Sequence, residues 1–280
     1  MVATNYTHDM ARVVTAEATR LKQFLSSMTP QEWDADSACP GWIVEDVVAH
    51  LAGSARNWAA TITRALNGDA GPPPGGAFLA PGERASHPFG PEIRQARQQT
   101  REELLANFIS GQEHLANVLA GIEVEDWEKL CFHRRGALPM WQYLGVQLQE
   151  LTLHGWDIRC GLEPSAELWD EPLAQLIGMV PRWLRTAFIA NQDMPTPVRY
   201  RFDISSPVAV HEDILVTGAE YHVSASGAEP ADAILRGSTG NYLLLLFGRL
   251  QVEPAVAAGR LSVEGSLDQA RTFNVWFPGF

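Results

Sequence analysis

Cysteine is scarce in this chain: Cys39, Cys131 and Cys160 are the only three in 280 residues, and none falls in a CxxC pair. So odd and sparse a set argues against a disulfide framework and a zinc site built mainly from cysteines. It fits reduced thiols packed as small hydrophobes. Long apolar runs are also missing; the longest, YLLLLFG at 242–248, is far too short to span a membrane. Positive charge is in deficit, 21 Lys+Arg against 33 Asp+Glu for a formal net charge of −12, which argues against nucleic acid as a partner. No block of like charges forms an interaction tail. The opening MVATNYTHDMARVV lacks the basic-then-apolar order of a signal peptide. The expectation is a cytoplasmic protein with neither a membrane nor a nucleic-acid partner. Its length and 46% hydrophobic content suffice for one large core or two smaller ones.

Two patterns are present in its place. The first two-thirds has helical periodicity, predicting helices over 8–28, about 42–66, 91–120 and 138–162, with a further one at about 171–191. TPQEW at 29–33 reads as a short helix start, with Thr as cap and Pro first. The Pro/Gly-rich stretch 67–90 reads as a long crossing loop, a candidate cover for a pocket. Four main helices with one long crossover predict a bundle. After NQDMPTP the pattern becomes VRYRFDIS, VAVHEDILVTG and EYHVSAS, alternating with period two, then ADAILRG, STGNYLLLLFGRL, RLSVEG and SLDQARTFNVW as strand, helix, strand and helix. The fold class expected is therefore α+β in two domains, 1–193 and 194–280.

One helix breaks its apolar face with chemistry. In QELTLHGWDI, Glu150 and His154 stand at i and i+4, on one side of the helix and within reach of one cation. In WIVEDVVAHLAG, His50 interrupts another apolar stretch, with Asp46 one turn earlier. Bundles build metal sites from inward-facing Glu and His of neighbouring helices, and two His with one carboxylate leave positions open for water or substrate. Asp46 and Asp157 are candidate acceptors for the second ring nitrogen of His50 and His154. The remaining histidines read as surface groups, with His133 as a candidate pocket liner.

ACPGWIVEDVVAHLAG and QELTLHGWDI resemble the two metal-binding segments of the mycothiol-dependent maleylpyruvate isomerase family, within the DinB superfamily of bundles. ADAILRGSTGNYLLLLFGRL is similar to that family's C-terminal, sterol-carrier-like α+β domain. The resemblance covers nearly the whole chain in order. It implies a DinB-like four-helix bundle with a two-His, one-Glu metal triad falling on His50, Glu150 and His154. It implies a divalent cation, zinc first, with nickel, iron or manganese as alternatives, and mycothiol as thiol cosubstrate. A metal-held thiolate attacking an electrophilic small molecule gives either thiol-assisted cis–trans isomerisation or S-transfer. The family's substrate arginine is expected at Arg236, with Arg249, Arg134 and Arg135 as alternatives. A metal-dependent hydrolase on the same bundle and a non-catalytic small-molecule-binding protein remain open readings, as does the oligomeric state.

Overall fold

The computed structural model describes residues 4–80 and 98–279. The chain forms two compact units, 1–166 and 167–280.

In the first unit the long helices are α1 (Thr4–Ser27), α3 (Val44–Leu66), α4 (Arg101–Ala120) and α5 (Met140–Leu162), with a one-turn α2 (Pro30–Trp33). Helix α3 packs against α4 and α5, and α1 packs against both α4 and α5, closing a four-helix bundle. The core is built at helical spacing from Val13, Leu21 and Leu25 of α1, Val47, Leu51 and Ile62 of α3, Phe108 and Leu115 of α4, and Leu144, Leu148 and Leu151 of α5. Glycine sets one helix distance: a Cβ on Gly111 would stand 3.3 Å from that of Ala55, so α4 rides close on α3. No described helix is long and apolar enough to cross a membrane.

Caps set the helix starts. Glu32 accepts from the Thr29 N–H at 2.6 Å, as the TPQEW pattern requires. Of the helix expected over 91–120, residues 91–97 lie outside the described residues; α4 itself begins at Arg101, where Thr100 accepts from the Glu103 N–H at 3.2 Å and Glu103 accepts from the Thr100 N–H at 2.8 Å. That reciprocal box stops the helix from extending backwards. A short antiparallel hairpin, β1 (Leu130–Cys131) with β2 (Leu138–Pro139), leads into α5. The described part of the crossing loop docks on it, Leu79 N–H donating to the Arg134 carbonyl at 2.7 Å. Residues 81–90 of that loop lie outside the described residues.

The second unit holds a five-stranded sheet in the order β5-β4-β3-β6-β7: β3 (Val198–Ile204), β4 (Val210–Val216), β5 (Tyr221–Ala225), β6 (Ala233–Gly237) and β7 (Leu261–Gly265). All neighbours are antiparallel except β3 and β6. Alternation places Val198, Tyr200, Phe202 and Ile204 inward and Arg199, Arg201 and Asp203 on the other face. Helices α8 (Thr239–Leu246), α9 (Val252–Ala257) and α10 (Leu267–Trp276) complete this unit; α9 was not anticipated from the sequence. Strand β5 is almost wholly exposed, so its alternation marks a sheet edge and not a half-buried strand.

The units divide at 166/167 and not at 193/194. Residues 171–191 form two short helices, α6 (Leu173–Ile177) and α7 (Val180–Ala187), instead of one. Pro181 explains the break: it has no N–H to donate, in a continuous helix its ring would clash with the carbonyl of Ile177, and it sits comfortably in the first turn of α7. Both helices pack on α8, with the Trp183 ring 4.3 Å from Phe247, and the Ile189 N–H donates to Trp276 at 2.8 Å. Their apolar faces thus belong to the second core.

One carboxyl in this core titrates unusually. Burial pushes Glu212 of β4 up from the ordinary range, only partly countered by its hydrogen bond from the Tyr242 hydroxyl. A raised folded value means the group's favourable contribution is complete below the unfolded value and is lost as pH rises through the folded one. Glu212→Gln is therefore expected to flatten the fall in melting temperature as pH rises above about 4.3, the ordinary glutamate value. Parallel curves for both proteins would show that Glu212 does not carry the slope.

Candidate metal centre

The site starts from a turn. In Cys39-Pro40-Gly41-Trp42 the Trp42 N–H donates to the Cys39 carbonyl at 3.0 Å, and Gly41 sits at φ +79°. Proline before a left-handed glycine is the chemistry of a type II turn. Ser37 ties the loop to itself, accepting from the Cys39 N–H at 3.1 Å and donating to the Trp42 carbonyl at 2.8 Å. The loop lies on the C-terminal half of α5, the Ala38 N–H donating to the Asp157 carbonyl at 2.9 Å. Only glycine permits this approach: a Cβ on Gly161 would fall 2.2 Å from the Asp36 carbonyl oxygen. Gly161→Ala is expected to cost roughly 1–3 kcal/mol, read as a lowered melting temperature, because neither backbone can yield without moving the loop.

Helices α3 and α5 run antiparallel at their contact, His50 level with Glu150 and, further along, Trp58 on Tyr143 with ring centroids 3.8 Å apart. This register joins the three predicted ligands. His50 Nε2 lies 3.1 Å from Glu150 Oε2, and His154 Nε2 lies 3.4 Å from the same oxygen. All three donor atoms fall within 4.8 Å of one another. The imidazoles meet edge to face, centroids 4.9 Å apart, and the Trp42 ring packs 5.7 Å from His50. The side chains are 25%, 27% and 16% exposed, enough for entry of an ion or small ligand.

Behind His154 stands Asp157, wholly buried, its Oδ2 accepting from Nδ1 at 2.9 Å. That bond keeps a proton on Nδ1 and turns Nε2 toward His50 and Glu150, where a cation would take the place of the Nε2 proton. Asp157 so fills the anchoring role foreseen for it. Asp46 serves the start of α3, accepting from the Ile43 N–H at 3.2 Å. Burial alone would lower the pKa of His154, but its hydrogen bonds with Asp157, Cys39 and Glu150 hold it well above the ordinary value. Burial alone would raise Glu150, and its bonds from His154 and His50 more than offset this and hold it well below. A cation must therefore displace a proton from the cluster, so uptake strengthens as pH rises. Two neutral imidazole nitrogens and a carboxylate, converging with a carboxylate anchor behind, suit a divalent cation.

Cys39 is more than the small hydrophobe expected of it: its thiol donates to Asp157 Oδ2 at 3.0 Å and stands 3.7 Å from His154 Nδ1. No local pattern marks it, since the contact spans more than a hundred residues. Cys131 does match that reading: it is buried, and burial pushes its thiol up to about 12. Arg236 belongs to the second unit, on β6, where it donates to Asp203 at 3.0 Å and to Glu264 at 2.8 Å. His133 lies in the hairpin turn, its Nδ1 accepting from the Arg135 N–H at 3.2 Å.

The mycothiol maleylpyruvate isomerase N-terminal domain, as a sequence family, matches residues 14–159, which include the whole cluster. The chain belongs to that family. The SCP-2 sterol transfer family matches residues 197–277. Among solved structures, a mycothiol-dependent maleylpyruvate isomerase is similar over 95% of this chain and 98% of its own, with TM-score 0.63 and 13% identity. A histidine-to-alanine mutant of that isomerase gives 0.61 over the same spans. At such identity the likeness is one of fold, and it extends over nearly the whole of both chains. A comparison with curated proteins gave no match.

Proposed function

We propose that this family member is a metal-dependent enzyme that activates the low-molecular-weight thiol mycothiol for attack on an electrophilic small molecule. Thiol-assisted cis–trans isomerisation of the maleylpyruvate type and S-transfer share that first step. The observation that carries the reading is the convergence of His50 Nε2, Glu150 Oε2 and His154 Nε2 in a partly open site. Zinc is the first choice of ion, with nickel, iron and manganese as alternatives for the same donors. When bound, the dication would supply a deprotonated thiol at neutral pH, where a free thiol of pKa about 8.5 is mostly protonated.

The chain's own residues do the rest. His50 and His154 offer neutral nitrogens, and Glu150 offers a carboxylate kept ionised by both rings. Asp157 orients His154, and the ring of Trp42 walls one side of His50. Arg236 is proposed to meet the anionic part of the substrate. Its two carboxylate partners are partly exposed, and such pairs hold by only about 0–1 kcal/mol, so one can open for a substrate. Arg236→Ala is expected to raise KM for an anionic substrate severalfold with metal content unchanged. An unchanged KM would remove Arg236 from the reading.

The decisive test pairs metal content by mass spectrometry with calorimetric titration of mycothiol into metal-loaded and metal-stripped protein. About one equivalent of metal and metal-dependent mycothiol binding are expected. Metal without mycothiol affinity would point to another metal reaction, such as hydrolysis, and no metal would overturn the proposal.

A further inference from the structure

His154 has two nitrogens, and only Nε2 faces His50 and Glu150. The other, Nδ1, faces a second convergence of donors: Asp157 Oδ2 at 2.9 Å and Cys39 Sγ at 3.7 Å, with 3.0 Å between sulfur and carboxylate oxygen. These atoms also all lie within 4.8 Å of one another. They come from two rigid supports. The Cys-Pro-Gly-Trp turn holds Cys39, α5 holds the other two, and the approach of Asp36 to Gly161 fixes the distance between them.

We propose that Cys39, Asp157 and His154 Nδ1 form a second cation site, for a soft divalent ion such as zinc or cadmium. The donor types argue for that class: a thiolate selects soft ions, imidazole and carboxylate accept borderline ones, and three ligands leave a position open. Charge balances as well. The ion displaces the Cys39 thiol proton and the Nδ1 proton of His154 to solvent, and its two positive charges meet one thiolate and one buried carboxylate. His154 then bridges the two sites as an imidazolate when both are filled. Such an ion would compete with the anchoring bond between Asp157 and His154, making the second site a point where excess soft metal alters the first.

This site needs neither mycothiol nor the first metal, so its test separates from that of the proposed function. Cadmium is titrated into metal-free protein, following bound equivalents by mass spectrometry and the thiolate-to-cadmium charge-transfer absorption. Wild type is expected to take up a second equivalent and to develop the band. Cys39→Ser should lose both the band and the second equivalent, whereas His50→Ala should lose the first site and keep the band. A wild-type protein without the band would overturn the proposal whatever the variants do. A band that persists in Cys39→Ser would overturn it too, by assigning the thiolate to Cys160 or Cys131.

Discussion

Purified His154→Ala protein is expected to carry no metal above background and to show no thiol-dependent turnover, while remaining folded. His154 holds the central position: its Nε2 shares the Glu150 oxygen with His50, and its Nδ1 is held by a buried carboxylate. Truncation leaves His50 and Glu150 as a two-donor set, one short of the three protein ligands of a catalytic zinc site. It also strips Asp157 of its ring partner, and weakening the pairing of a buried charge is costly, so a lower melting temperature should accompany the loss. Circular dichroism separates that cost from unfolding. If the variant kept a full equivalent of metal, the triad would be misassigned. In the metal-free wild type, the raised His154 value contributes stability below its unfolded pKa, lost as pH rises through the folded one. The lowered Glu150 value contributes stability above its own unfolded pKa, lost as pH falls. The stabilisation from this pair is therefore fullest between about 4.3 and 6.5, the two unfolded values.

Asp157→Asn is the second large effect, an expected 10–100-fold loss of metal affinity in competition with a chromophoric chelator. The amide oxygen can still accept from Nδ1–H, so ring orientation survives in part. What disappears is the negative charge behind the imidazole, which makes Nε2 a stronger donor. Asparagine is close in size to aspartate, so the cavity stays filled and melting should change far less than affinity. An affinity within twofold of wild type would reduce Asp157 to a packing residue.

Local patterns reach a definite distance along this chain. The α5 helix, its Glu150 and His154 on one face, and the alternating strands of the second unit are all legible because they depend on periods of a few residues. The Thr100–Glu103 box is equally local, and it marks the start of α4 in the sequence itself. Pro181 was likewise a sufficient sign that 171–191 would not be one helix. The placement of 167–193 in the second unit was of another kind: Trp183 and Ile189 are apolar whichever core they enter, and only Phe247 and Trp276 decide it.

Sequence by itself thus determined that this chain holds a bundle and an α+β module, and that one helix presents a carboxylate and an imidazole together. Tertiary structure alone decided the distances at which His50 meets them, that Cys39 shares a carboxylate with His154, and that Arg236 is held between Asp203 and Glu264. The physical reason is range. Side-chain spacing along one helix follows from 3.6 residues per turn. Contacts across a hundred residues follow from antiparallel register, a type II turn and a glycine that lets two backbones touch, and none of these leaves a periodic trace.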